Sequence, residues 1–410
     1  MLICKMSKRV LVIGLVWPEP TSSAAGWRML ELINNFLLRG YEMHFACAAC
    51  KSEHSFPLID LDVKEHIIQL NDSSFDAFIE TLQPDIVLFD RFMIEEQYSW
   101  RVKAICPTAL LILDTEDLHF IRYARQEAYK SDVPLSNDLY YNEHAKRELA
   151  SILRCDMSLI ISTIEIETLK SQLNIQSYLL QLLPFFVGDE NPMDIDFSER
   201  KNFVFIGNFI HEPNWRTVLA LKELWPKIRK ALPAAELHIY GAYPSQKVWE
   251  LNKPKEGFII KGRATNAIES ISKYRALIAP IPFGAGLKGK FIDALRAGTP
   301  SVTSAIGAEG FAYSEQWNGY IVEDVDEFVE KCIRLYEDQL TWEEAASNGR
   351  ELLNKLHSGA YFDAFFQRIE YLKEHIEAHR RKNILGQILW TNQFSATKYM
   401  SLWIEAKNKQ

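Results

Sequence analysis

Apolar and polar positions along this chain recur with two periods, one of strands and one of helices. Val10–Val16 is a continuous apolar run, the pattern of a strand covered on both faces. Behind it, Gly26–Arg39 sets Met29, Leu30, Ile33 and Leu37 on one helical stripe, with Gly40 as the stop. Short apolar runs at Met43–Ala49, Asp85–Phe89, Ala109–Leu113, Met157–Ile161 and Tyr178–Leu182 predict further strands. Helical stretches are expected between them, around 74–82, 94–104, 137–153 and 163–173. Gly188 to Pro192 opens a polar stretch that reaches Lys201 and reads as a linker. The alternation then restarts, with strands at Phe203–Ile206, Glu236–Tyr240, Phe258–Lys261, Arg275–Ile281 and Ser301–Thr303. Helices are predicted at Asn214–Ala231 and Lys288–Ala297. This order predicts an α/β protein with two doubly wound parallel-sheet domains, residues 1–187 and 188–358, facing a cleft. Residues 359–410 carry helical, aromatic-rich sequence with no strand signal and form a C-terminal extension.

Composition narrows the class. A chain of 410 residues exceeds one ordinary core, and 48% hydrophobic with 24% charged residues excludes disordered and collagenous chains. The balance of 46 basic against 54 acidic residues, −8 overall, argues against a nucleic-acid partner but leaves room for a local phosphate pocket. No apolar run approaches a membrane span, and the first strand begins too early to leave room for a signal peptide. Six cysteines are too sparse for a disulfide framework, so a cytoplasmic chain with reduced thiols is expected. Cys47 and Cys50 form a CxxC that ends a strand and has no partner pair, so both are read as buried structural thiols.

The densest chemical signal runs from Pro282 to Pro300. A strand enters, the glycines Gly284, Gly286 and Gly289 turn the chain, and a helix begins near Lys288. Glycines admit close approach to backbone amides, and a helix N-terminus attracts anions. Lys288 and Lys290 oppose the dipole at that end by roughly 0.3–1 kcal/mol each, so a bound phosphate is the natural counter-charge. A merely solvated basic turn is the plainer alternative. The same glycines, with Glu309 twenty residues on, spell a dinucleotide fingerprint. Its late position, Pro280 and Pro282, and the two lysines oppose that reading. Asp293, one turn after Lys290, is placed to accept hydrogen bonds from a ribose; pairing with Lys290 or Arg296 would explain it too.

Gly207 and Asn208 follow the first strand of the second half, at its expected crevice, while Asn214 reads as a cap for the next helix. Pro18–Gly26 offers small residues and hydroxyls ahead of a helix, a second candidate phosphate contact. The stretch after Leu113 packs Asp114, Glu116, Asp117, His119, Arg122 and Arg125 into a strand-end connection. His119 is the candidate proton donor or sugar-hydroxyl partner, with capping by Asp114 or Asp117 as the alternative. Asp90 and Arg91 close the strand at Phe89 and are expected to face the same cleft, with Asp117 and Arg122 on the acceptor side.

These motifs resemble those of the family-4 (group 1) glycosyltransferases of the GT-B fold. The similar stretches are Gly26 before its helix, Phe205-Ile-Gly-Asn with Pro213-Asn214, and Gly284-x-Gly286-Leu287-Lys288-Gly-Lys290 through Asp293 to Gly298-x-Pro300, then Glu309-Gly310. The resemblance covers about residues 10–350. It implies two Rossmann-like domains, a nucleotide-sugar donor held in the second, and sugar transfer with retention and without metal or cofactor. It implies a glycan, lipid-linked or other hydroxyl acceptor, and it suits a tail that crosses back to the first domain. Location is expected to be cytoplasmic, with peripheral membrane contact left open. Gly26, Gly207, Asn208, Gly284, Gly286, Leu287, Lys288, Lys290 and Asp293 are the implied donor contacts, and His119 the residue nearest the reacting sugar. Two glutamates separated by seven residues are usual in the family; here those positions are Ala285 and Asp293. A non-catalytic nucleotide-sugar binder, or an epimerase or hydrolase on the same fold, therefore stays as the alternative.

Overall fold

The computed structural model describes residues 8–189, 191–311 and 316–408, so Glu190 of the expected linker lies outside the described residues. Two parallel sheets organise the chain. The first contains β1 (Arg9–Gly14), β2 (Glu42–Cys47), β3 (Lys64–Ile67), β4 (Ile86–Asp90), β5 (Leu110–Asp114), β6 (Met157–Ile160) and β7 (Leu180–Leu182). Its strand order is β3-β2-β1-β4-β5-β6-β7. The second contains β8 (Phe203–Ile206), β9 (Leu237–Tyr240), β10 (Phe258–Gly262), β11 (Ala276–Ala279), β12 (Ser301–Thr303) and β13 (Gly319–Ile321). Its order is β10-β9-β8-β11-β12-β13. Strand order reverses between β1 and β4 and again between β8 and β11, so each domain opens a crevice at those carboxyl ends.

The central strands are continuous apolar runs because helices cover both faces; every residue of β4 and β5 is buried. Two edge strands were not expected from the sequence. β3 reads Lys-Glu-His-Ile and leaves Ile67 exposed, and β13 is three residues with a glycine, so neither shows an apolar run. Pairing with a neighbouring strand makes them strands.

A larger correction concerns the charged stretch after β5. It is a helix, His119–Ser131, which buries His119, Phe120, Ile121, Ala124 and Ala128 along one face. Neither Asp114 nor Asp117 caps it. Buried Glu148 accepts from the backbone N–H groups of His119 (3.2 Å) and Phe120 (3.0 Å), and buried Glu165 accepts from Leu118 (2.9 Å). Those caps stand about thirty and fifty residues away, where local spacing rules cannot find them. Cys50 also departs from expectation, since it is exposed; Cys47 is buried, and burial pushes its thiol up to about 11.

The last two helices, Gly359–Lys382 and Ile384–Asn408, lie on the first domain. Phe362, Phe365, Phe366 and Ile369 join the core made by β1, β2 and helix Ala24–Leu38. Phe36 packs edge-on against Phe365 and Phe366 at ring distances of 5.8 and 4.9 Å. Farther along, Arg380 donates to both oxygens of Asp156 and to the Ala109 carbonyl.

Candidate functional site

The second domain's crevice is made by two loops. After β8, Gly207 donates its N–H to Tyr240, and Asn208 accepts from Ile210 (2.9 Å) to shape the turn. A Cβ on Gly207 would fall 2.6 Å from the Asn214 side chain, so glycine is required for that approach. Asn214 is not the cap the sequence suggested. Helix Glu212–Ala231 begins before it, and its side chain instead donates to the Asn208 carbonyl and accepts from Lys290.

After β11, the loop runs into helix Gly289–Arg296, whose N-cap is Lys288 with no side-chain capping bond. Gly286 has φ +62, and a Cβ there would sit 2.8 Å from the Asp117 Cβ across the cleft. At Gly289 a Cβ would sit 2.8 Å from that of Ala24. Glycine here lets the two domains touch, besides freeing the loop. Lys288 donates to the Gly286 carbonyl (2.8 Å) and lies 3.8 Å from Glu309; burial pushes its ammonium down to about 8. Lys290 donates to Asn214 (2.7 Å) and stands 4.3 Å over the Phe205 ring. It keeps part of its surface in solvent, yet it lies deep between the domains. That depth, with the Lys288 charge, pushes it down to about 7. Asp293 follows on the same helix, half-buried.

Glu309 was only a motif residue in the sequence; the structure makes it a clasp. Arg125 of the first domain grips both its oxygens (2.5 and 2.6 Å) and the Gly284 carbonyl (2.7 Å). At the rim, Arg263 donates to Thr21 and Ser22, and Tyr243 donates to Glu19.

The first domain's crevice has a different make-up. Asp90 and Asp114 stand opposite each other at the ends of β4 and β5. Asp90 accepts from the Leu15 N–H (3.0 Å) across the strand-order reversal and lies 3.4 Å from its neighbour Arg91. Asp114 is fully buried against Arg28 (3.0 Å), which also donates to the Leu183 and Pro184 carbonyls. Arg91 (φ +71) and Glu116 (φ +62) occupy left-handed backbone, which costs on the order of 1–3 kcal/mol each and is typical of functional strand ends. Burial, reinforced by the neighbouring Asp114 charge, pushes the Glu116 carboxyl up to about 8. It raises Asp90 as well.

Asp117 pairs with Arg122 and lies 3.5 Å from His119. Burial pushes this carboxyl up, but Arg122 and His119 outweigh it and hold Asp117 well below the ordinary range. His119 is buried edge-on to Phe92 (ring distance 5.4 Å), and burial takes it down to about 3 despite Asp117. The ring is therefore neutral at pH 7, which removes the imidazolium proton donor from the two roles expected for it. A neutral ring can still exchange a hydrogen bond with a hydroxyl. His211, where helix Glu212–Ala231 starts, stands beside Asp117 and His119; its depth between the domains and the Arg122 charge take its ring down to about 4, so it too is neutral at pH 7.

Residues 200–338 match the family described as Glycosyl transferases group 1. That stretch is similar to the group 1 glycosyl transferases. Solved structures extend the likeness to the whole fold. A TarM mutant of S. aureus, in complex with fondaparinux, alpha-GlcNAc-glycerol and UDP, superposes with TM-score 0.58 at 15% identity. The match covers 72% of this chain but 58% of that one, so this chain spans under three-fifths of TarM's length. HepE of Anabaena, in complex with UDP and glucose, gives 0.64 at 12% identity and covers 90% of this chain and 100% of that one. Sucrose-phosphate synthase from Thermosynechococcus elongatus gives 0.62 at 14%, covering 89% and 99%. The fold is GT-B. No curated protein matches the chain in sequence.

Within the second domain, the crevice gathers Gly207, Asn208, Gly284, Gly286, Leu287, Lys288, Lys290 and Asp293 on the two loops and the helix they start. Across it stand Asp90, Arg91, Asp117, His119 and Arg122 of the first domain. Gly26 does not join them as an anion donor. Its N–H is taken by the Ser23 cap (3.0 Å), and a Cβ on it would fall 2.5 Å from the Glu19 backbone, so it serves the fold of the preceding loop. The hydroxyls of Thr21 and Ser22 are likewise engaged, by Arg263. Reading residues singly missed the roles of Asn214 and Arg125, and missed His211 altogether. Each acts across a loop or a domain boundary, and only the Asn214 motif position hinted at one of them.

Proposed function

We propose that the chain is a glycosyltransferase that moves a sugar from a nucleoside-diphosphate donor to a hydroxyl acceptor, with retention and without a metal. The observation that carries the reading is the pair Lys288 and Lys290 at a helix N-terminus, both pushed toward neutrality inside the cleft. Two desolvated ammonium groups beside uncapped backbone amides are stabilised by an arriving diphosphate, and stabilise it more as the glycosidic bond breaks and the leaving group gains charge. Asp293 takes the ribose. His119, neutral, takes a hydroxyl of the transferred sugar, and Asp90, Arg91, Asp117 and Arg122 border the acceptor. Retention rests on the family resemblance. UDP is the first nucleotide to try, because the TarM and HepE structures hold it. A glycan or a lipid-linked hydroxyl is the acceptor class.

Thermal denaturation with a panel of nucleoside diphosphates tests the donor. One of them at a hundred times its Kd should stabilise the fold by about 2.7 kcal/mol. Labelled nucleotide sugar, incubated in EDTA, should release nucleotide slowly alone and faster with acceptor. Stabilisation by NAD or FAD with every diphosphate inert would return the dinucleotide reading. Tight binding without any product would make the protein a sensor, and isomerised sugar would make it an epimerase.

A further inference from the structure

The last helix, Ile384–Asn408, is turned inside out. At 100° per residue, Gly386, Trp390, Ser401 and Glu405 share the inward side. The Trp390 indole donates to the Arg154 carbonyl (3.1 Å), and Arg101 reaches both Ser401 (3.4 Å) and Glu405 (3.6 Å). These polar contacts, with Trp390 packed on the first domain's core, hold the helix in place. Six other apolar residues point away. Ile384, Leu385, Ile388, Tyr399, Leu402 and Trp403 fall in one sector about 100° wide on the opposite side, and all are exposed, Tyr399 by 67% and Trp403 by 60%. They form two groups, Ile384 to Ile388 and Tyr399 to Trp403, toward the two ends of a helix of 25 residues, about 37 Å long.

The charges on this helix identify what covers the ridge. Glu405 is its one carboxylate, and it is turned inward to Arg101. Lys398 and Lys407 flank the apolar sector, one on each side, and both are exposed. An apolar stripe with tyrosine and tryptophan, bordered by lysines and cleared of acids, is the pattern of a helix lying in the plane of an anionic bilayer surface. Among the described residues no helix is long and apolar enough to cross a membrane, so the contact is lateral. We propose that helix Ile384–Asn408 docks the first domain onto an anionic lipid surface, with Trp403, Tyr399 and the aliphatic residues entering the headgroup boundary. This inference stands apart from the donor chemistry, because none of these residues lines the cleft.

Co-sedimentation of the full chain with vesicles tests it. Vesicles of phosphatidylglycerol and phosphatidylethanolamine should bind the protein, more weakly as salt rises, and phosphatidylcholine vesicles should bind it far less. Tyr399→Ser with Trp403→Ser should weaken binding tenfold or more. Lys398→Gln and Lys407→Gln should each weaken it about fivefold. Leu385→Ser with Ile388→Ser, at the other end of the ridge, gives an independent arm should the first pair lower the melting temperature. Nucleotide affinity should hold in every variant. The proposal is overturned if anionic vesicles fail to bind the protein, or if ridge variants bind as well as the parent. It is equally overturned if the parent forms a concentration-dependent dimer that the ridge variants abolish, since a second copy would then be the occupant.

Discussion

The ends of β4 and β5 and the loop after β11 occupy equivalent places in two sheets of the same winding, yet their charges are balanced in different ways. In the first domain Asp90, Asp114 and Glu116 face Arg28 and Arg91, and the largest of these contacts is a buried, multiply bonded pair. That cluster meets its charge from within, by the arginine pairs and by carboxyls raised toward protonation, though Asp90 Oδ1 and Glu116 Oε1 have no hydrogen-bond partner. In the second domain Lys288 shares Glu309 with Arg125, and Lys290 has a neutral amide and a ring as its neighbours. One crevice closes its own account of charge; the other leaves positive charge to be met by a ligand. In a protein whose two halves share an architecture, this contrast points anion binding to the second crevice.

Removing a member of the self-balanced cluster should have the largest effect, and on stability. Asp114→Ala leaves Arg28 buried with carbonyl partners only, and should destabilise the fold by about 3–5 kcal/mol in denaturant unfolding. A loss below about 1 kcal/mol would mean the pair is not the support the geometry indicates. Lys290→Ala should act the other way round. It should leave unliganded stability nearly unchanged and lower turnover by roughly 2–4 kcal/mol, with donor binding also weakened. Unchanged steady-state rates would remove Lys290 from the leaving-group site.

Asp293→Ala should mainly raise the donor Kd, by roughly 1–3 kcal/mol, since a ribose contact changes little along the reaction. Asp293→Glu should be tolerated better than Asp293→Asn. Collapse of the unliganded protein with nucleotide affinity intact would make Asp293 structural. A further effect concerns pH. The free lysines lie near 8 and 7, and a bound diphosphate raises both, so binding takes up protons. Affinity should therefore be greatest below about pH 7 and fall as pH rises toward 9, by at most about tenfold per unit for each lysine. Titration calorimetry in buffers of different ionisation enthalpy would read the uptake; proton release on binding would contradict it.

Much of this was legible in the sequence because it is local. Phe203–Ile206 is a strand to the residue, since a central strand buried on both faces is written as an apolar run; Ser301–Thr303 is one too, although only Val302 in it is apolar. The glycine-rich loop and its lysines were legible for the same reason: spacing within one turn encodes them. What stayed hidden is held by partners far along the chain. Helix His119–Ser131 looked like a charged connection because the carboxyls that start it, Glu148 and Glu165, belong to other elements. The Arg125–Glu309 clasp joins residues of different domains, which no periodicity records. The neutrality of His119 comes from burial that its own charged neighbours disguise.

The return of helix Gly359–Lys382 to the first domain has a consequence for biosynthesis. Phe36 and Tyr41 leave the ribosome more than three hundred residues before Phe365, Phe366 and Glu370, the side chains that cover and bond them. The first domain thus emerges with part of its core uncovered and waits through translation of the entire second domain before it can close. A chain interrupted after residue 358 would display that apolar face permanently, a surface for chaperones to hold and for aggregates to recruit. The two halves resemble separate modules, yet the polypeptide is completed as one unit, from its last helices backward.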